Sequence, residues 1–163
     1  MKTIQKTFVL FLFASLSAIA QQKITLEEIW GGAFRTQGMT ELAVLKNTNQ
    51  YTVLNSDRTS SAIDLYDFAT LNKVSTLINS KDFSDLQGID SYTFSNDEKK
   101  ILIANNSDQI FRHSSVSNFY IYDIATKSLT KISDDKIQEP TFSPDGSKIA
   151  FAKNSNLCCF FRS

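Results

Sequence analysis

The sequence predicts an all-β fold: an incomplete β-propeller of about two four-stranded antiparallel blades plus the start of a third, behind a signal-peptide helix. Three observations predict it. First, a segment recurs, with Ser91-Tyr-Thr-Phe-Ser-Asn-Asp-Glu-Lys-Lys-Ile-Leu-Ile-Ala104 returning as Glu139-Pro-Thr-Phe-Ser-Pro-Asp-Gly-Ser-Lys-Ile-Ala-Phe-Ala152, and Phe94 and Phe142 stand 48 positions apart. A repeat of roughly 40–50 residues built from short strands and tight turns is the mark of propeller blades. Second, from residue 40 onward apolar residues alternate with period 2 rather than 3.6. Third, the composition, 42% hydrophobic with 13 Phe and 5 Tyr, suits pleated, half-buried surfaces better than a disordered chain.

Residues 1–20 read as a secretory signal peptide. Lys2 and Lys6 form the positive end, Phe8 to Ala14 the apolar centre, and Ala18-Ile19-Ala20 the small-residue cleavage pattern. The apolar run is too short to span a hydrocarbon core of about 30 Å, so no membrane association is expected after cleavage. The expected location is therefore exported, periplasmic or extracellular.

Residues 21–34 form a lead with a short helix. Thr25 caps it and Glu28, three residues on, completes a capping box, while Gly31-Gly32 ends it. Residues 35–157 form the partial propeller. The first blade takes strands near 42–46, 50–55, 62–67 and 73–78, and the second takes 90–95, 99–104, 118–124 and 128–133. The third begins with 138–143 and 147–153. Residues 158–163 are read as an aberrant tail, where alternation gives way to an apolar end.

Turn chemistry supports this division. In Ser143-Pro144-Asp145-Gly146, Pro144 presets φ, Asp145 bonds nearby backbone and Gly146 accepts positive φ. Ser95-Asn96-Asp97-Glu98 lacks both Pro and Gly, which predicts a looser version of the same turn. Tyr-Asp-x-x-Thr at Tyr66–Thr70 and Tyr122–Thr126 places an aromatic on an inter-blade face and an Asp where the strand ends.

Charge and cysteine content narrow the function classes. Seventeen basic residues balance seventeen acidic ones without a basic block, which argues against nucleic acid as a partner. Cys158 and Cys159 are adjacent, and His113, the chain's one histidine, is far from them in sequence, so no metal site and no cofactor are expected. No Gly-x-Ser-x-Gly nucleophile elbow is present, and nothing supplies both nucleophile and base, so the sequence provides no catalytic residues.

Ile24-Thr-Leu-Glu-Glu-Ile-Trp30, Ile110-Phe-Arg-His-Ser-Ser-Val-Ser-Asn-Phe-Tyr-Ile-Tyr-Asp123 and the Ser-Pro-Asp-Gly segment resemble the N-terminal propeller of bacterial dipeptidyl peptidase IV, in the prolyl oligopeptidase superfamily of serine peptidases. The Arg-His-Ser and Tyr-Ile-Tyr-Asp residues are the specific part, because Ser-Pro-Asp-Gly turns occur in many propellers. The resemblance implies a propeller followed by an α/β-hydrolase domain that releases X-Pro or X-Ala dipeptides from peptide N-termini, with a homodimer compatible with the family. It also implies truncation before that domain, leaving a fragment not catalytically competent alone. One functional position is carried over: Arg112, expected to contact the substrate's backbone carbonyl, a task suited to a permanently charged, forked guanidinium. The competing reading is a binding or scaffold propeller of the cell envelope, of TolB-like type, and Arg112-His113-Ser114 favours the peptidase.

Overall fold

The computed structural model of the chain describes residues 24–35 and 41–161. The helix expected over residues 1–20 lies outside the described residues. Two compact units divide the chain near residue 40. The first holds helix α1, Leu26–Trp30, whose N-terminus carries the expected capping box: Glu28 N donates to Thr25 Oγ1 (3.2 Å) and Thr25 N to Glu28 Oε2 (2.9 Å). Gly31 N closes the helix on Glu27 O at 2.7 Å, and Gly32 follows at φ +80°.

Among the described residues, the second unit contains eleven strands in three antiparallel sheets. β1 (Leu42–Val44), β2 (Gln50–Ser56), β3 (Ser61–Asp67) and β4 (Lys73–Asn79) form blade 1. β5 (Ser91–Phe94), β6 (Lys100–Phe111), β7 (Ser114–Asp123) and β8 (Ser128–Lys131) form blade 2. β9 (Gln138–Phe142), β10 (Lys148–Lys153) and β11 (Asn156–Phe161) form a three-stranded third sheet. Each sheet is a meander of sequence neighbours, and among the described residues the blades do not close into a ring.

Blade 2 explains why its strands read as apolar runs rather than strict alternation. Ile101 and Ile103 of β6 with Tyr120 and Tyr122 of β7 pack towards Leu54, Ile63 and Ile78 of blade 1. Leu102 and Ile121, one residue out of phase, pack the other way against Ile137, Ile149 and Phe151. Successive side chains of a strand point to opposite faces, so a sheet covered on both sides needs apolar residues at every position. The buried tyrosines keep their hydroxyls paired, as a polar tip in a core requires: Tyr120 Oη donates to Asp85 O and Tyr122 Oη to Leu77 O, both at 3.0 Å, and Tyr92 Oη pairs with Thr52 Oγ1 at 2.8 Å.

Three differences from the sequence reading stand out. β6 continues to Phe111 and β7 begins at Ser114, so the stretch read as a loop is an extended ribbon. The tail forms β11, pairing with β10 from Lys148↔Phe161 to Lys153↔Asn156. It does so because β10 offers an open edge of N–H and C=O groups, and Cys158, acting as a small apolar residue, joins Phe160 against the blade 2–blade 3 core. Finally, the turn at Ser95–Glu98 is no looser than its Pro-Gly counterpart. Glu98 takes φ +58° where Gly146 takes +67°, and each amide closes on its serine carbonyl, at 2.9 and 2.8 Å.

Candidate functional site

The β6–β7 hairpin projects past its blade, and its two-residue turn is Arg112-His113. At about 3.3 Å per residue, β6 carries that turn roughly 20 Å beyond Ala104. Both turn residues are exposed, as are Ile110 and Phe111 beside them, the latter at 75%. None of the ion pairs among the described residues uses Arg112. Its guanidinium is thus presented to solvent at the end of a built arm, rather than neutralised against a neighbouring blade.

Two irregularities aim the arm. Between Asn105↔Asn118 and Asp108↔Val116 the register gains one residue on β6, and between Gln109↔Ser115 and Phe111↔Ser114 it gains another. Such bulges bend and twist a ribbon. At the first, Asn106 takes φ +54°, a conformation that asparagine tolerates better than most residues. The surrounding polar groups hold the bend in place. Asn105 Nδ2 donates to Gly88 O (2.6 Å), Ser107 N to Asp90 Oδ2 (2.8 Å), and Ser117 Oγ to Ser107 Oγ (2.7 Å). Ser117 also exchanges both backbone bonds with Ile137, at 3.1 and 2.9 Å, tying the ribbon root to the connection into blade 3. One residue further out, Lys136 Nζ reaches Asp108 Oδ2 at 2.6 Å.

The strands expected near 99–104 and 118–124 leave Arg112 in the connection between them, and the structure places it at the hairpin tip. The sequence did not single out Asp90, Ser107, Asp108, Ser117 or Lys136. The available signal was composition: largely polar stretches flank Arg112-His113, seven residues from Asn105 to Phe111 and five from Ser114 to Asn118, as two paired strands with extra residues on one side would.

Separate from the ribbon, a groove of about 770 Å³ runs along strands β1, β5 and β9. Leu42, Val44, Phe94, Leu102, Pro140 and Phe142 give it apolar walls, and Glu41 stands at its edge. Burial pushes the Glu41 carboxyl above the ordinary carboxylate value, and the Tyr92 N–H bond at 3.3 Å partly opposes this. The groove contains no residue of the ribbon.

By fold and site the molecule is an open array of propeller blades from which one braced hairpin displays an arginine. Its relatives are specific. Residues 95–159 match the family described as the dipeptidyl peptidase IV (DPP IV) N-terminal region. A Schizosaccharomyces pombe protein described as a dipeptidyl aminopeptidase is 31% identical over 100 residues, covering 58% of this chain and 13% of the relative. Dipeptidyl aminopeptidase B of Saccharomyces cerevisiae is 32% identical over 69 residues, 42% of this chain and 8% of the relative. The crystal structure of Porphyromonas gingivalis dipeptidyl peptidase 4 superimposes with a TM-score of 0.71 at 29% identity, over 84% of this chain and 20% of that one. The resemblance to the N-terminal region of dipeptidyl peptidase IV, read first from the sequence, is thereby shown in both sequence and fold. This chain spans between 8% and 20% of the length of these relatives.

Proposed function

We propose that this chain supplies N-terminal propeller blades of an exported serine-type dipeptidyl peptidase, and that Arg112 binds the backbone carbonyl of a peptide substrate near its N-terminus. The observation that carries this reading is the projecting ribbon with an exposed guanidinium at its tip. A guanidinium stays charged and offers forked donors, so it holds a carbonyl or carboxylate in one orientation. Orientation is what a propeller half contributes to peptide hydrolysis, whereas nucleophile, base and oxyanion hole carry the chemical step. These 163 residues contain no Gly-x-Ser-x-Gly and a single histidine, so the chain orients substrate without hydrolysing it.

The test is a chimera in which residues 41–161 replace the matched segment of the P. gingivalis enzyme. The chimera is expected to release X-Pro dipeptides, while the 163-residue chain alone releases none. Arg112→Ala in the chimera should lower kcat/KM by the worth of one charged hydrogen bond, about 1.5–3 kcal/mol, with the fold intact. Full activity in that variant would refute the assignment of Arg112.

A further inference from the structure

We propose that Lys136, in the connection between blades 2 and 3, is a positioning residue that fixes the angle of the β6–β7 ribbon through Asp108 and so sets where Arg112 stands. The functional meaning of the placement rests on the reading of Arg112 above, but the bracing itself does not.

The geometry is that of a pivot and a strut. The pivot is the first bulge, held by Asp90 on Ser107 N and by the Ser107–Ser117 hydroxyl pair. The strut is the 2.6 Å contact from Lys136 Nζ to Asp108 Oδ2, just outboard of the pivot and four residues short of Arg112. Its two ends differ. The Lys136 side chain is 23% exposed and the Asp108 side chain 66%. Lys136 also adjoins Ile137, which is 1% exposed and bonded in both directions to Ser117. The ammonium therefore reaches from a base anchored by the buried Ile137 to a carboxylate on the projecting part of the arm.

An exposed ion pair adds little to global stability, because solvent screens it and ordering two side chains opposes it. A two-stranded ribbon beyond the edge of its sheet is only marginally ordered by its own bonds. The same small energy that hardly registers in unfolding is then large relative to what holds the arm at one angle. This separates a strut from an ordinary stabilising contact: losing it should loosen the tip and leave the blades unchanged.

The test uses the full chain and amide hydrogen exchange, comparing residues 109–115 with core positions 101–103 and 120–122. Asp108→Asn and Lys136→Met are each expected to speed exchange in 109–115 by roughly three- to tenfold while core protection stays at the wild-type level. High salt should produce the same selective loosening in wild type and little further change in either variant. The reversed pair, Asp108→Lys with Lys136→Glu, should restore most of the protection. Unchanged exchange in the ribbon, or a rise in core exchange of equal size, overturns the proposal, and so does a reversed pair as loose as the single variants. In the chimera, Asp108→Asn should lower kcat/KM about threefold with Arg112 present and not at all in an Arg112→Ala background. Equal losses in both backgrounds would also overturn it. An inactive chimera with a braced ribbon would instead refute the reading of Arg112 and leave the strut standing.

Discussion

The turns at Ser95–Glu98 and Ser143–Gly146 reach one conformation by different means. Both rest on a Ser-x-Asp pair. Ser95 Oγ donates to Asp97 Oδ1 (2.7 Å) and accepts from Lys100 N (3.0 Å), while Ser143 Oγ donates to Asp145 Oδ1 (2.5 Å) and accepts from Lys148 N (2.9 Å). Only the later copy adds Pro144 and Gly146, and only Gly146 meets its positive φ without a Cβ. Glu98 holds nearly the same backbone angle at a steric cost. Its side chain offsets that cost across a blade boundary, accepting from Lys46 N and from Asn47 N (3.4 Å) and Nδ2 (3.1 Å) in the first turn of blade 1. The later turn reaches its neighbour differently, with Gly146 O accepting from Lys100 Nζ at 2.9 Å. The lesson is that the serine–aspartate pair shapes the turn, and that a strained residue persists where its side chain joins two blades.

Removing the serines should break the comparison most sharply. Ser95 is buried, at 2% exposure, whereas Ser143 is half-buried. Ser95→Ala removes a buried hydroxyl that serves Asp97 and both backbone groups of Lys100, at a spot water does not readily refill, and is expected to cost about 2–3 kcal/mol in urea unfolding, against about 1 kcal/mol for Ser143→Ala, where water replaces the hydroxyl. Equal losses would show that burial does not separate the two copies.

Gly146→Ala comes next. A Cβ there would lie 3.8 Å from its nearest neighbours, an ordinary contact, so the loss should be purely conformational, about 1–2 kcal/mol by the same measurement. At the other turn, two substitutions divide strain from clamp. Glu98→Ala keeps the strain and loses the clamp, while Glu98→Gly loses both, so the glycine variant should be the more stable of the two by about 1 kcal/mol. A glycine variant no better than the alanine one would mean that Glu98 carries no backbone strain.

The smallest effect is acid dependence. Donation from Ser143 Oγ, followed by Ser147 N and Oγ, holds the Asp145 carboxyl at about 2 against an ordinary 3.8. Asp97 is also depressed, chiefly by Ser95 Oγ. A folded pKa below the unfolded one means that the contribution is complete above about pH 4 and disappears as the pH falls towards 2. Asp145→Asn should therefore flatten, without abolishing, the loss of stability across that window. Acid unfolding followed by circular dichroism checks this, and an unaltered slope would remove Asp145 from the account.

Much of the fold was legible because each blade repeats the previous one and buried strands announce themselves as apolar. Within the turns, Pro144 and Gly146 were conspicuous, while Ser95-x-Asp97 recurring as Ser143-x-Asp145 was the stronger signal and went unweighted. The position of Arg112 was legible and the length of its arm was not. A ribbon solvated on both faces has no core side, so nothing imposes alternation on Asn106 to Gln109, all of them exposed. Asp108 and Lys136 meet across 28 positions of sequence through a bulge that residue pattern does not encode. β11 was missed for a related reason: an open strand edge recruits a partner largely through backbone bonds, and a cysteine pair carries little strand signature.

Every ladder in the three sheets joins strands that are consecutive in the chain. Apart from the Ser117–Ile137 bridge, the blades are joined through side chains, among them the Tyr120 and Tyr122 hydroxyls reaching back to Asp85 and Leu77. In kinetic terms, each strand finds its backbone partner already present when it arrives, and closing a loop between neighbours costs little entropy. Assembly can keep pace with a chain delivered from one end, blade by blade, with each tyrosine fastening the newest sheet to the one completed before it.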